Sequence, residues 1–80
     1  MVVALVLIKT DSRRERVVLE DLKKIPEVVE AHLLLGVYDL SAKIKVERQE
    51  DLSKIVADKI RRIPGISETR TLPAMAYGSV

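Results

Sequence analysis

Apolar and polar positions alternate along this chain in two rhythms, one with a period of two residues and one with the period of a helix turn. Residues 2–9 form a continuous apolar run rich in β-branched side chains, the pattern of a strand buried on both faces. Ser12 is then placed to cap a helix and Glu15 to answer it as a capping box. Val18, Leu22 and Ile25 recur at helical spacing, and Pro26 stops that helix because the residue before a proline avoids the helical region. Residues 28–35 predict a second strand. From Tyr38 to Val46 a third strand alternates: Tyr38, Leu40, Ala42, Ile44 and Val46 take one face, and Asp39, Ser41, Lys43 and Lys45 the other. Leu52, Ile55, Val56 and Ile60 lay a stripe on a second helix that Pro64 and Gly65 terminate. A last strand starts near Ile66 and weakens at Pro73, which has no N–H for the ladder.

A repeat supports this order. "LKKIPEVVEAHLL" from Leu22 matches "IRRIPGISETRTL" from Ile60, and "VALVLI" from Val3 matches "SAKIKV" from Ser41, both at an offset of 38 residues. Each half is strand, helix, strand, so the expected fold is α+β: a ferredoxin-like βαββαβ unit with a four-stranded antiparallel sheet. Right-handed crossovers put both helices on one face and the first and third strands in the centre. Leu40, Ala42, Ile44 and Val46 then meet the helices. The other face carries Val3, Leu5 and Leu7 beside polar residues of the third strand. Such an uncovered apolar face marks an interface, and a partner's sheet packed against it would cover it.

Composition strengthens the expectation of self-association. Eighty residues make one domain, spanning 1–80. A chain this short buries only about 60% of its unfolded surface. With no cysteine, neither disulfides nor thiolate metal sites can supplement the core, and one histidine, His32, builds no metal cluster. The hydrophobic fraction is 48%, high for a small monomer. A net charge of +2 is too small to argue for direct nucleic-acid binding. Asn is absent and Gln49 is the sole Gln in a chain that is 32% charged, a composition resembling that of thermophile proteins. The apolar start is too short to span a bilayer and lacks the marks of a secretion signal, so the cytoplasm is the expected location and no membrane partner is expected.

Catalytic chemistry finds little support. There is no cysteine nucleophile, the serines lack a His–acid pair in any recognisable pattern, and no Gly-rich phosphate loop appears. No enzyme activity, cofactor or metal is expected. His32 on a strand is an interface or surface histidine before it is a base. RNA-binding sheets of this topology stack bases on aromatics of the central strands, and this chain has no Phe or Trp. Lys23-Lys24 and Arg61-Arg62 fall in the last helical turns, where they complement the helix dipole.

Two stretches remain, "GVYDL" (residues 36–40) and "ETRT" (68–71). Each residue has an ordinary role: Gly36 for a positive φ, Tyr38 to close one end of the core, Asp39 to cap turn amides, and Thr69 and Thr71 for β-propensity. Together, an acid, exposed turn amides and two hydroxyls can hold a small zwitterion, the acid taking its ammonium and the donors its carboxylate.

"GVYDLSAKIKVE", followed by a helix and "IRRIPGISETRTL", resembles the effector-binding domain of leucine-responsive and asparagine-responsive (Lrp/AsnC) transcriptional regulators, also called the RAM domain. The resemblance runs from Val2 to about Leu72. It implies protomers whose sheets pair into a dimeric α/β barrel, and dimers that assemble into rings, often octamers. It implies an amino acid bound between dimers, with Gly36, Val37 and Tyr38 lining the cleft, Asp39 orienting the ligand, and Thr69 and Thr71 approaching from the final strand of the same or a neighbouring dimer. Full regulators of this family carry an N-terminal helix-turn-helix domain, whereas this chain opens on its first strand. It thus resembles a stand-alone RAM protein that regulates transcription by joining full-length regulators. A ligand-free scaffold is the alternative, and a dimeric α/β-barrel enzyme a remote third. In the family the last strand runs on through apolar residues after the Thr-x-Thr pair; here Pro73 intervenes.

Overall fold

β1 (Val2–Thr10) alternates in burial: Ala4, Val6 and Ile8 are fully buried while Leu5 stays half exposed. The computed structural model, which describes residues 1–74, thus gives β1 one covered face rather than the two its continuous apolar run predicts. α1 (Glu15–Leu22), β2 (Val28–Leu33), β3 (Leu40–Val46), α2 (Gln49–Ile55) and β4 (Ile66–Pro73) follow. The strands form one antiparallel sheet in the order β2-β3-β1-β4, with β1 and β3 central as expected. The βαββαβ order is that of the ferredoxin-like fold.

The core lies between the sheet and the helices. β3 alternates without a break, burying Leu40, Ala42, Ile44 and Val46 and turning Ser41, Lys43 and Lys45 to the uncovered face. Val18 and Leu22 of α1 close the layer from one side, and Leu52, Val56 and Ile60 from the other. These last three are spaced by four residues, which in an α-helix drifts round the axis. α2 continues into a π-helical turn, Val56–Ile60, where the Arg61 N–H donates to the Val56 carbonyl at 2.8 Å. The wider turn offsets the drift and keeps Ile60 over the sheet.

Several local expectations are corrected. Ser12 and Glu15 form no capping box: α1 begins at Glu15, and its N-cap, Arg14, makes no side-chain capping bond. The cause is a turn in which the Arg14 N–H donates to the Asp11 carbonyl at 3.1 Å and Arg13 takes a φ of 64°, leaving Ser12 short of the helix start. α1 stops at Leu22, so Lys23-Lys24 lie just past its end, and Arg61 is the C-cap of the π-helical turn. Lys23 instead pairs with Glu20 at 3.0 Å. β2 and β3 end and begin earlier and later than the apolar runs, at Leu33 and Leu40, so Tyr38 lies outside the strand. β4 starts at Ile66 as expected, and Pro73 is its last residue, tolerated on an edge strand opposite Ala4. The Ala74 N–H still donates to the Val3 carbonyl at 2.9 Å; the strand's further course lies outside the described residues. Among the described residues no helix is long and apolar enough to cross a membrane.

Candidate functional site

The β2–β3 connection is a loop of residues 34–39, not a tight hairpin turn. Two backbone bonds close it: the Leu34 N–H donates to the Asp39 carbonyl and the Asp39 N–H donates to the Ile8 carbonyl, both at 2.8 Å. Gly36 has φ +148°, a conformation L side chains rarely adopt, yet a Cβ there would meet nothing within 4 Å. Conformation alone, and not crowding, calls for glycine at this position.

Asp39 turns to Thr10 at the end of β1 rather than standing free on the uncovered face that strict strand alternation assigns to it. Its Oδ2 accepts the Thr10 N–H at 2.8 Å and the Thr10 hydroxyl at 3.2 Å. The alternation fails because regular pairing starts only at Leu40, leaving Asp39 free to cap the end of β1. Tyr38, expected on the helix-packed face, instead reaches across the ends of β1 and β4. Its hydroxyl donates to Glu68 Oε2 at 3.4 Å, and the Lys9 Nζ stands 5.6 Å from its ring centroid. That contact tethers the loop to the far edge strand and adds a modest cation–π attraction.

Beside the loop is a cavity of about 350 Å³ lined by Leu33, Leu34, Leu35, Gly36 and Asp39, with Glu15 and Arg16 from the first turn of α1. Of the residues singled out in the sequence, Gly36 and Asp39 line it, whereas Val37 is largely exposed and Tyr38 points elsewhere. Thr69 and Thr71 pair with Ile8 and Val6 and share their helix-covered face on β4, at the sheet edge opposite β2. Thr71 lines a separate cavity with Leu52, Val56 and Arg61. Within one chain the two threonines therefore do not meet the loop. Glu15 and Arg16 were missed: they stand some twenty residues before the loop, and no local motif links them to it.

The uncovered sheet face carries Val3, Leu5 and Leu7 of β1, with Leu72 of β4 opposite Leu5. Charged groups surround this stripe. Glu30 lies 3.2 Å from His32 Nε2 and 3.5 Å from Lys43 Nζ, and Lys43 pairs with Leu5 across the strands. The hydrogen bond with His32, and then Lys43, hold the Glu30 carboxyl below its ordinary range. The face is thus an apolar centre with a polar margin, the anatomy of a protein interface.

Comparison with known proteins agrees with the geometry. The family model for the Lrp/AsnC ligand binding domain matches residues 3–77. An uncharacterized HTH-type transcriptional regulator of Pyrococcus abyssi is 38% identical over 72 residues, which is 86% of this chain and 48% of that protein. Thus the chain spans about half the length of the curated relatives it matches. The crystal structure of TTHA0845 from Thermus thermophilus superposes with a TM-score of 0.91 at 32% identity, covering 99% of this chain and 100% of that one. E. coli AsnC superposes with a TM-score of 0.91 at 25% identity, covering 99% of this chain and 54% of that one. With the βαββαβ sheet, the loop and the family match in agreement, the chain belongs to the Lrp/AsnC ligand-binding domain family.

Proposed function

We propose that this domain is an effector-binding module: it takes an amino acid or related small metabolite at the 34–39 loop and conveys its presence to transcription through association with full-length regulators. The observation that carries this reading is the cavity beside the loop, about 350 Å³, at the small end of the ligand-site range, with leucines, two acids and an arginine around it. Its homologues are HTH-type transcriptional regulators, which are not enzymes, and members of the family form dimers and bind amino-acid effectors. In a ring of dimers a neighbour's Thr69 and Thr71 would complete the site that one chain leaves open. The apolar stripe of Val3, Leu5 and Leu7 would be covered in the dimer.

Thermal denaturation against the twenty amino acids tests the proposal, since a ligand that favours the native state raises the melting temperature. At least one amino acid is expected to shift it. A flat response across the panel favours the second reading, a ligand-free scaffold, for which the half-exposed Leu5 at the centre of the open sheet face is the supporting observation.

A further inference from the structure

Four arginines from two connections meet at one end of the sheet. Arg13 and Arg14 lie between β1 and α1, and Arg61 and Arg62 between the π-helical turn and β4. The two connections touch. The Asp11 N–H donates to the Gly65 carbonyl at 2.7 Å, and Arg14 lies so close to Gly65 that a Cβ there would stand 3.0 Å from its Nε. All four arginines are exposed, and none makes a side-chain hydrogen bond or ion pair with another described residue. Lys23 and Lys24, past the far end of α1, are by contrast paired with Glu20 and Asp21 at 3.0 and 3.6 Å. Residues 11–16 and 61–65 together hold five arginines against two acids, Asp11 and Glu15, a surplus larger than the +2 of the whole chain. Net charge averages over this segregation, so composition gives no sign of it. Arg13 also holds a left-handed φ of 64°, a cost that glycine would avoid.

We propose that this end of the domain rests on the phosphate backbone of duplex DNA and holds it without reading sequence. A guanidinium fork matches a pair of phosphate oxygens. Duplex DNA carries one negative charge per about 1.7 Å of its axis, whereas residues of an extended acidic peptide are about 3.3 Å apart. DNA therefore supplies counter-charges densely enough for four arginines held on adjoining connections. The inference goes beyond the effector-binding reading and does not depend on it: a module that joins full-length regulators gains a hold of its own on the DNA.

The test is fluorescence anisotropy of the whole chain with two labelled duplexes of unrelated sequence, across a salt series. Both duplexes should bind equally, and affinity should fall about a hundred-fold between about 50 and 200 mM salt if all four arginines engage phosphates. Arg61→Gln/Arg62→Gln should reduce the slope of log affinity against log salt by about two for each protomer on the duplex, and Arg13→Gly by about one. Arg13→Gly should melt no lower than the wild type, because it removes a charge and the strained backbone together. Lys23→Gln/Lys24→Gln, at the other end of α1, should leave the slope unchanged. A slope that falls equally for the lysine and the arginine pair overturns the assignment to this surface, as does an absence of binding at about 50 mM salt. A preference for one duplex overturns the backbone reading. Displacement of DNA by poly-L-glutamate at equal charge assigns the surface to an acidic protein partner instead and overturns the choice of DNA.

Discussion

Replacing Asp39 by alanine removes the acceptor that joins the 34–39 loop to the end of β1. The Thr10 N–H, bonded at 2.8 Å in a partly buried position, loses its partner, and the hydroxyl contact at 3.2 Å goes with it. A hydrogen bond to a charged acceptor contributes about 1.5–3 kcal/mol. The partial exposure of the site lets water replace some of this, so a loss of about 2 kcal/mol is expected. In a domain of this size each kcal/mol moves the melting temperature by roughly 4–8 °C, so Asp39→Ala should melt about 8–16 °C below the wild type. Asp39→Asn keeps one oxygen for the Thr10 N–H and should cost about half as much. Thr10→Val removes only the weaker hydroxyl contact and should cost about 0.5 kcal/mol. Because the two side chains touch, the double variant Thr10→Val/Asp39→Ala should cost less than the sum of the single ones. Circular-dichroism melting at one fixed protein concentration gives all four values. An Asp39→Ala curve that superimposes on the wild type would refute the capping role, and strict additivity would refute the contact with the hydroxyl.

Leu5→Asp places a charge at the centre of the open sheet face; if a partner sheet covers it, light scattering should report a lower mass or circular dichroism an unfolded chain, and an unchanged mass with the fold intact sinks that interface. Gly65→Ala should destabilise more than Gly36→Ala: both have positive φ, but a Cβ at Gly65 would stand 3.0 Å from Arg14 Nε and 3.1 Å from Arg14 Cβ, whereas none crowds Gly36. Equal melting temperatures for the two variants would contradict this. Glu27 accepts bonds from Lys59 Nζ at 3.0 and 3.2 Å, and this contact lowers its pKa. Its contribution is therefore fully present above the unfolded carboxylate range and is lost as pH falls through the lowered folded value. At this partly exposed site the effect is below about 1 kcal/mol, and Lys59→Met should reduce the slope of stability against acid pH; identical slopes would remove the pair from the account.

Periodicity alone determined much of this fold. The alternation from Leu40 to Val46 specified which residues of β3 enter the core, and the 38-residue repeat specified two strand–helix–strand halves. These signals are local, since a strand with one buried face must alternate and a helix must repeat its apolar face. The open face of β1 was not legible from periodicity, because residues 2–8 are apolar throughout; it followed only from the crossover topology, which puts both helices over Ala4, Val6 and Ile8 and leaves Val3, Leu5 and Leu7 on the other side. Legibility ended where regular pairing ended. No period governs residues 34–39, so the turning of Asp39 to Thr10 and of Tyr38 to Glu68 depends on partners about thirty residues distant in sequence. The position of Ser12 had the chemistry of a helix cap, but the left-handed Arg13 moved the helix start beyond its reach. Glu15 and Arg16 became cavity residues only because packing set the start of α1 beside the end of β2. The sequence determined the layers and their faces, through interactions that repeat along one element; tertiary structure alone decided which side chains from different elements share the cavity, because that depends on where elements end and how they pack.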